Sequence, residues 1–365
     1  MIKTFINNFY ILVFRIKSML TRIQVKEIKE HLEKSQNPLF FFDNDQDGLC
    51  SFLLLQRWLG RGKGVPIKSF PDLIPEYFRK VKELGADYVF VLDKPLISKG
   101  FFEEIRKVNI PVVWIDHHTI DWTLIPQFVN YYNPLLNKKK SNEPITALCY
   151  QITKRKEDIW IAMIGCISDG FVPYFYTDFE KKYSDLSTNS MEAFDILYKS
   201  QIGKIARILS FGLKDRTTNV INMLKFLIKA KSPYEVLEEN SKNSSFHKRF
   251  NQVNARYTRL LNKAIILGKK ADRILFFQYG GDLSISSELS NNLSYIFRDK
   301  LIVVAYVKGA KTNISTRGEK IREAFLKSIE GLEGAIGGGH ENAVGGQIKT
   351  EDIEKFRENL KKILN

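Results

Sequence analysis

The sequence predicts an α/β protein with a parallel sheet, because short apolar runs alternate with helical patterns from about residue 21 to residue 180. The apolar runs cover residues 39–42, 88–92 and 112–115. Each run is short and continuous, which is typical of a strand buried on both faces of a sheet. Helical patterns cover residues 49–59, 76–84 and 101–108. This repeated order of strand and helix predicts right-handed crossovers between parallel strands.

The chain divides into four parts by pattern. Residues 1–20 form an N-terminal extension, and residues 21–180 form the domain with the parallel sheet. Residues 181–265 show helical spacing of apolar positions and read as a helical connector. Residues 266–365 form a smaller C-terminal α/β domain, with strands at 273–278 and 301–307 and a helix at 321–329. We expect the active site in the cleft between the two lobes.

The composition is that of a soluble globular protein, with 44% hydrophobic and 27% charged residues. No apolar run approaches the roughly 18 to 20 residues of a membrane span, so we expect no membrane partner. The N-terminal apolar run at residues 9–14 is short and lacks a small-residue cleavage site, which argues against a signal peptide. The three cysteines form no Cys-x-x-Cys pair, which fits a reducing, cytoplasmic compartment.

Positive charge is concentrated in the connector. The whole chain carries a formal charge of +15, and residues 181–265 hold 16 Lys and Arg against 7 Asp and Glu, a net charge of +9. Clustered positive charge is what binding to a phosphate backbone requires, because neutralised phosphates release their counterions. The alternative interpretation is a solvated helix face.

Three carboxylates crowd the end of the first predicted strand. Asp43, Asp45 and Asp47 alternate just before Gly48. Carboxylates this close repel one another, and a hard cation is the usual resolution. A calcium loop of the EF-hand type also begins in this way, but it follows a helix and needs a glutamate where this chain has Leu54.

Further candidate ligands follow other apolar segments. Asp93 ends the second predicted strand, and Asp116, His117 and His118 end the third. Asp169 follows an apolar helical segment. The carboxyl ends of parallel strands meet at one edge of a sheet, so we expect these side chains to share one metal site.

These residues resemble the motifs of a known family. Asp45-x-Asp47-Gly48, Asp93, Asp116-His117-His118 and Asp169 match the order and spacing of the four motifs of the DHH phosphoesterases. Ser315-Thr316-Arg317 and Gly337-Gly338-Gly339-His340 resemble the signature of the DHH-associated C-terminal domain. The resemblance covers residues 21–365 and makes residues 21–180 the catalytic domain. The superfamily includes RecJ exonucleases, nanoRNases, cyclic dinucleotide phosphodiesterases and family II inorganic pyrophosphatases.

The resemblance implies a role for each matching residue. Two Mn²⁺ ions, with Mg²⁺ as the alternative, would be held by Asp45, Asp47, Asp93, His117 and Asp169, with Asp93 bridging. His118 would contact the scissile phosphate and Asp116 would orient the histidines. Substrate would be bound by Ser315, Arg317, Gly337, Gly338, Gly339 and His340. Several relatives have a histidine where this chain has Phe41, and Asp43 is an additional candidate ligand or a support for the ligands.

The resemblance implies a Mn²⁺-dependent phosphodiesterase that acts as a RecJ-like exonuclease on single-stranded DNA or RNA and releases nucleoside monophosphates. One alternative is a nanoRNase or cyclic dinucleotide phosphodiesterase, and another is a non-catalytic scaffold that works with replication or repair proteins. Pyrophosphatase activity is disfavoured by the basic connector and by the Gly-Gly-Gly-His motif. The sequence leaves open DNA or RNA preference, polarity, substrate length and oligomeric state.

Overall fold

The computed structural model describes residues 19–68 and 72–364. It divides into two compact units, Met1–Phe250 and Asn251–Asn365. Of the N-terminal extension predicted for residues 1–20, residues 1–18 lie outside the described residues. Within the described residues, no helix combines the length and the apolar character needed to cross a bilayer.

The first unit is built on a sheet of five parallel strands. The strands of this unit are β1 (Pro38–Asp43), β2 (Lys63–Ile67), β3 (Asp72–Leu73), β4 (Tyr88–Leu92), β5 (Leu96–Ile97), β6 (Val112–Ile115) and β7 (Val129–Tyr132). The main sheet has the order β2-β1-β4-β6-β7, and every pair in it is parallel. The short strands β3 and β5 pair separately. The three predicted strands are the three central ones, so the predicted parallel sheet is confirmed.

The edge strands of this sheet, β2 and β7, were not predicted from the sequence, and the reason is physical. Strand β2 contains Gly64 and Pro66 and is largely half-buried, so it lacks the continuous apolar run of a central strand. Gly64 is needed there, because a Cβ at this position would lie 2.6 Å from the ring of Phe52. The central strand β1, in contrast, buries Phe40, Phe41 and Phe42 completely.

Helices flank the sheet and continue to the end of the first unit. They are α1 (Arg22–Lys34), α2 (Gln46–Leu59), α3 (Phe78–Glu83), α4 (Lys99–Val108), α5 (Ile145–Thr153), α6 (Ile159–Ser168), α7 (Tyr176–Lys182), α8 (Ala193–Lys199), α9 (Gln201–Leu213), α10 (Thr217–Lys229) and α11 (Tyr234–Leu237). Helix α2 packs against α5 and α6, and α6 packs against α8 and α9. Helices from the segment predicted as a connector therefore pack on the first unit.

Helix α6 forms the centre of this helical layer. It is apolar on every side and nearly all of it is buried, as expected of a helix surrounded by other elements. Gly165 brings it close to α5, because a Cβ there would overlap the side chain of Thr146. The same layer contains Arg57, whose guanidinium pairs with the buried carboxylate of Asp158 at 2.7 Å.

The second unit contains a mixed sheet. A 27-residue helix, α12 (Ser244–Lys270), leads into it. Its elements are β8 (Ile274–Gly280), α13 (Ser286–Ile296), β9 (Leu301–Lys308), β10 (Lys311–Arg317), α14 (Ile321–Ile329), β11 (Ile336–His340), β12 (Ala343–Lys349) and α15 (Ile353–Leu364). The strand order is β11-β12-β10-β9-β8, with only β8 and β9 parallel. The glycine-dense run thus lies in a strand, β11.

One face of this second sheet carries its own hydrophobic core. Val303, Ile314 and Val344 from the strands pack with Phe325 of α14 and Phe356 of α15, and all five are buried. The two rings lie 5.5 Å apart in an edge arrangement, which is favourable for aromatic pairs. A parallel-sheet domain followed by a separate mixed-sheet domain confirms the predicted fold class.

Candidate metal centre

The junction between β1 and α2 holds the first two carboxylates at the carboxyl edge of the sheet. Asp45 is the N-cap of α2, and its carboxylate accepts a hydrogen bond from the Gly48 amide at 3.0 Å. A Cβ at residue 48 would overlap the backbone of Asp43, with the Asp43 nitrogen only 2.7 Å away. Glycine is therefore required here by the tight return of the chain over the end of the strand.

Asp47 points into the protein from the first turn of α2. It is 3% exposed, and its two oxygens accept hydrogen bonds from the Ile145 and Thr146 amides at 2.8 and 2.7 Å. These amides belong to the start of α5, where unsatisfied N–H groups and the helix dipole favour a negative charge. The start of α5 therefore holds Asp47 in a fixed orientation.

Asp93 follows β4 on the neighbouring strand. It is 3% exposed, and its amide bonds to the Ile115 carbonyl at 3.1 Å. Its φ of 56° lies in the left-handed region, which is uncommon for residues other than glycine although Asp tolerates it better than most. The buried oxygen Oδ1 accepts no hydrogen bond, which is costly for a carboxylate unless a cation or another donor approaches it.

His117 brings an imidazole to the same place. Its Nε2 lies 3.3 Å from Asp93 Oδ1, and the ring is 2% exposed. One ligand atom each from Asp47, Asp93 and His117 lies within 4.8 Å of the other two. Three side chains from three separate segments thus converge on one point.

The next residue, His118, forms a pair with Asp116. The Nδ1 of His118 is 2.8 Å from Asp116 Oδ1, and the His118 amide donates to Asp116 Oδ2 at 3.1 Å. Asn133, just past β7, donates to the His118 carbonyl at 2.9 Å and to the Tyr131 hydroxyl at 2.8 Å. The Tyr131 hydroxyl in turn donates to Asp116 Oδ2 at 3.4 Å. This network fixes the orientation of the imidazole.

Electrostatics at the site reflect crowding of like charges. Desolvation, followed by the charges of Asp43 and Asp47, raises the pKa of Asp45 to about 8, although part of Asp45 is exposed at the surface of the site. Desolvation, followed by the charges of Asp47 and Asp45, raises the pKa of Asp93 well above its usual range. These carboxylates therefore need a positive partner to be ionised together.

His118 shows the opposite balance. Burial lowers its pKa, but the charge and the hydrogen bond of Asp116 outweigh that effect, so its pKa is raised above the usual value. A carboxylate neighbour that accepts from Nδ1 favours the protonated ring. His118 is therefore suited to contact a negatively charged group.

The remaining acidic candidates also belong to this site. Asp169 lies at the C-terminal cap of α6, and its charge contributes to the raised pKa of Asp45. Asp43 ends β1 and pairs with Lys94, whose Nζ lies 3.0 Å from Asp43 Oδ1. Asp43, predicted as an additional ligand or a support for the ligands, thus forms an ion pair with Lys94.

The donor set fits a hard divalent cation. It consists of carboxylate oxygens and an imidazole, and the buried Asp93 Oδ1 accepts no hydrogen bond. Such donors suit Mn²⁺ or Mg²⁺, whereas a site built for zinc often contains thiolates. Cys50, Cys149 and Cys166 are all buried. Burial, followed by the Asp47 charge, raises their pKa and keeps the thiols neutral.

In the second unit, the predicted substrate-binding residues lie on neighbouring strands. Arg317 of β10 and His340 of β11 both pair with Ala343 of β12, which places the three residues in one row across the sheet. Side chains in such a row project from the same face. The guanidinium of Arg317 donates to Asn291 Oδ1 at 2.5 Å and to Ser287 Oγ at 3.1 Å, so α13 holds it in place.

The next row on the same face of this sheet, two residues along the strands, is nearly free of side chains. Ser315 aligns with Gly345, and Gly345 aligns with Gly338. A Cβ built at Gly338 would meet no atom within 4 Å, so space is open there. Gly339 has a φ of 139° and would bring a Cβ within 3.2 Å of the Val344 Cα, so its conformation requires glycine. Gly337 completes the run in β11.

Three residues of the first unit that contact the site residues were not predicted from the sequence. Lys94 directly follows Asp93, and a lysine at the end of a fully apolar strand is itself an unusual signal. Tyr131 and Asn133 lie at the end of β7, a strand that was not predicted. A prediction of β7 as the parallel neighbour of β6 would have placed the carboxyl end of β7, with Tyr131 and Asn133, beside Asp116.

The described structure can be compared with known proteins. The DHHA1 domain family matches residues 271–365, and no curated protein matches the sequence significantly. RecJ in complex with Mn²⁺ from Thermus thermophilus is 15% identical with a TM-score of 0.66, over 93% of this chain and 54% of that chain. Exonuclease RecJ bound to manganese is 15% identical with a TM-score of 0.62, over 93% of each chain.

A third similar structure is the DHH domain of a protein described as a member of a family of ribosomal proteins. It is 14% identical with a TM-score of 0.66, over 98% of this chain and 92% of that chain. The present chain thus spans about half the length of the Thermus protein. At these identities the similarity establishes the fold, and the predicted resemblance to DHH proteins with a DHHA1 domain is confirmed.

A first prediction concerns the bridging candidate. Asp93→Ala is expected to abolish Mn²⁺ binding measured by isothermal titration calorimetry, because Asp93 Oδ1 lies 3.3 Å from His117 and 3.9 Å from His118 and is a member of the converging set with Asp47. The metal-free variant is expected to be at least as stable as the metal-free parent in urea unfolding, because a desolvated carboxylate is removed. Asp299→Ala, an exposed change of the same type, is the control. Unchanged Mn²⁺ affinity in Asp93→Ala would contradict the assignment.

Proposed function

We propose that this chain, which has the two-domain fold of RecJ-like DHH proteins with a DHHA1 domain, is a Mn²⁺-dependent phosphodiesterase. It acts as an exonuclease on single-stranded DNA or RNA and releases nucleoside monophosphates. The observation that carries the proposal is the convergence of Asp47, Asp93 and His117 within 4.8 Å, beside the hydrogen-bonded pair of Asp116 and His118.

In this proposal, Asp45, Asp47, Asp93, His117 and Asp169 hold two divalent cations. Such a pair, when bound, activates water for attack on phosphorus and neutralises charge on the phosphate. The protein holds its ligands ready, because Asp47 is fixed by two backbone amides and Asp93 is fixed by its backbone bond to Ile115. Mg²⁺ satisfies the same donor preferences and is the alternative ion.

His118 is the residue that we assign to the substrate phosphate. Its Nδ1 is held by Asp116, so Nε2, on the opposite side of the ring, faces away from Asp116. A raised pKa favours a ring with a hydrogen on each nitrogen. Such a ring donates a hydrogen bond to a phosphate oxygen, and it supplies a proton to the sugar oxygen that leaves when the phosphodiester is hydrolysed.

The DHHA1 domain is assigned to substrate binding. Arg317 and His340 project from one face of the sheet, next to the nearly side-chain-free row that contains Ser315 and Gly338. A guanidinium binds phosphate oxygens through two parallel hydrogen bonds. Adjacent glycines let a phosphate or a sugar approach the backbone closely. The strand Gly337 to Gly339 therefore suits a nucleotide.

Substrate length distinguishes the main candidate functions. A nanoRNase or cyclic dinucleotide phosphodiesterase needs the same metal centre and only a short binding surface. A non-catalytic scaffold, a different class of function, would not need a converging set of carboxylates and an imidazole. We propose replication or repair proteins as partners.

We also propose a cytoplasmic location. All three cysteines are buried and unpaired in the structure, which agrees with a compartment where thiols stay reduced.

The proposal predicts metal-dependent hydrolysis. Purified protein with Mn²⁺ should shorten end-labelled single strands one nucleotide at a time, and excess chelator should stop the reaction. Asp47→Ala and Asp169→Ala are expected to lower the rate by at least about 1,000-fold, because losing a ligand removes an ion that stabilises the transition state. Graded lengths of DNA and RNA would separate exonuclease from nanoRNase. Full activity in chelator would disprove metal dependence.

A second test concerns the basic connector. The structure reduces the number of its residues that are candidates for strand binding. Four basic residues of the connector are candidates for strand binding: Lys248, Arg249, Arg256 and Arg259. Arg249 donates to the Lys214 carbonyl and Arg256 to the Gly280 carbonyl. Lys248 and Arg259 are exposed, as is Lys263 on the same helix. We therefore expect the exposed three to bind the strand, and Arg249 and Arg256 to be structural.

Replacing Lys248, Arg259 and Lys263 together with alanine should weaken binding of a long single strand and reduce the slope of its salt dependence. Hydrolysis of a dinucleotide should change by less than about threefold, because the metal centre is untouched. The matched control replaces the exposed Lys355, Lys361 and Lys362 of α15. Equal losses in both triple variants would mean that only net charge matters.

A third test concerns the DHHA1 residues. Arg317→Ala and His340→Ala should leave Mn²⁺ affinity unchanged but lower kcat/KM by on the order of 10- to 1,000-fold, because a misplaced phosphate loses orientation and contact energy. Asn291→Ala should have a smaller effect in the same direction, since Asn291 orients Arg317. Calorimetry and oligonucleotide kinetics would measure both quantities. A loss of Mn²⁺ binding in either DHHA1 variant would contradict the assignment.

A further inference from the structure

Lys94 is a fully buried lysine at the metal centre. Its side chain is 0% exposed, and its Nζ lies 3.0 Å from Asp43 Oδ1, whose side chain is 28% exposed. Lysines are almost never fully buried unless they are paired, because an ammonium loses its hydration there. The pair is therefore asymmetric: Asp43 keeps access to water, whereas Lys94 has none.

The backbone holds Lys94 in this position. Its carbonyl accepts a hydrogen bond from the Trp114 indole at 2.9 Å, and Trp114 lies on β6, beside the strand that ends at Leu92. The preceding residue, Asp93, has a left-handed backbone conformation with a φ of 56°. The chain thus turns sharply after β4, so that Asp93 and Lys94, which are consecutive, both serve the site.

The charges of the cluster suggest what Lys94 does. Five carboxylates influence one another here, those of Asp43, Asp45, Asp47, Asp93 and Asp169. When all are ionised they carry five negative charges. The Lys94 ammonium offsets one of these, and two divalent cations offset the remaining four. When these five carboxylates are ionised, Lys94 and two divalent cations together balance their charge.

We propose that Lys94 is a fixed cation of the metal centre, which keeps Asp43 out of the ligand set and sets the charge that the bound ions must balance. It is a positioning residue that touches neither substrate nor the reacting atoms. The inference rests on the metal centre of the proposed function, but its test uses no nucleic acid. A failure of exonuclease activity would therefore not affect its outcome.

The test compares Mn²⁺ binding by the parent protein, Lys94→Met, Asp43→Asn and the double variant. Binding is measured by calorimetry and by the electron paramagnetic resonance signal of free Mn²⁺. Lys94→Met keeps the length of the side chain but removes a positive charge near the ions, so Mn²⁺ should bind more tightly, by on the order of tenfold. Asp43→Asn removes a negative charge and should weaken binding by a similar factor. The double variant should return to within about threefold of the parent affinity, with the parent number of ions.

A ligand role for Asp43 makes the opposite prediction. If Asp43 bound an ion directly, Asp43→Asn and the double variant would both lose an ion or bind Mn²⁺ weakly. That result would overturn the proposal. So would a Lys94→Met variant with unchanged or weaker Mn²⁺ affinity. Asp47→Asn, a variant of a ligand, shows the signature of a lost ion and serves as the reference.

Thermal unfolding without metal supplies an independent readout. Asp43→Asn removes the carboxylate that lies 3.0 Å from the buried ammonium of Lys94 and should be the least stable of the three variants. Lys94→Met leaves Asp43 with its access to water and should be less affected. The double variant should be closer to the parent than Asp43→Asn, because neither charge remains. If Lys94→Met does not fold, the comparison of Asp43→Asn with the double variant still decides the question.

Discussion

The repulsion between crowded carboxylates is the constraint on which the candidate metal centre depends. Asp45 and Asp47 lie at the start of α2, directly after β1, and Asp93 follows the neighbouring parallel strand β4. Desolvation and mutual charge raise the pKa of Asp45 and Asp93. An isolated chain would separate these groups in water. The packed sheet keeps them together, because β1 and β4 pair along their length and most of their side chains are buried.

Several local devices reduce the cost of this arrangement. The amides at the start of α5 stabilise the charge of Asp47, and the Gly48 amide stabilises that of Asp45. Lys94 places an ammonium beside Asp43. Asp93, in contrast to these three carboxylates, has a buried oxygen, Oδ1, that accepts no hydrogen bond. A cation would relieve Asp93 most, which agrees with the proposed role of Asp93 as a metal ligand.

The two histidines show how consecutive residues enter different environments. His117 turns toward Asp93, with 3.3 Å between Nε2 and Oδ1, whereas His118 is bound through Nδ1 to Asp116. The hydrogen bonds from Asn133 and Tyr131 support the second arrangement from β7. A neutral ring suits a metal ligand, and a ring stabilised by a carboxylate suits a phosphate contact. The environment, more than the residue type, distinguishes the two rings.

The sequence by itself determined the central strands and the residues around which the site is built. Buried parallel strands carry continuous apolar runs, and the acidic and imidazole groups that follow them stand out against that background. Edge strands leave a weaker signal, so β2 and β7 were missed, and with β7 the support of Asp116 by Tyr131. Sequence spacing also could not assign the glycine run to β11, because glycine has little strand preference and only pairing with β12 fixes it.

Tertiary structure decided what each charged group contacts. Arg249 and Arg256 look like Lys248 and Arg259 in the sequence, yet the first two bind backbone carbonyls and the last two are exposed. Lys94 is one of many lysines in a basic chain until its burial and its distance to Asp43 are known. A sequence specifies which side chains carry charge, but the energy of a charge depends on its solvation and its neighbours, and folding sets both.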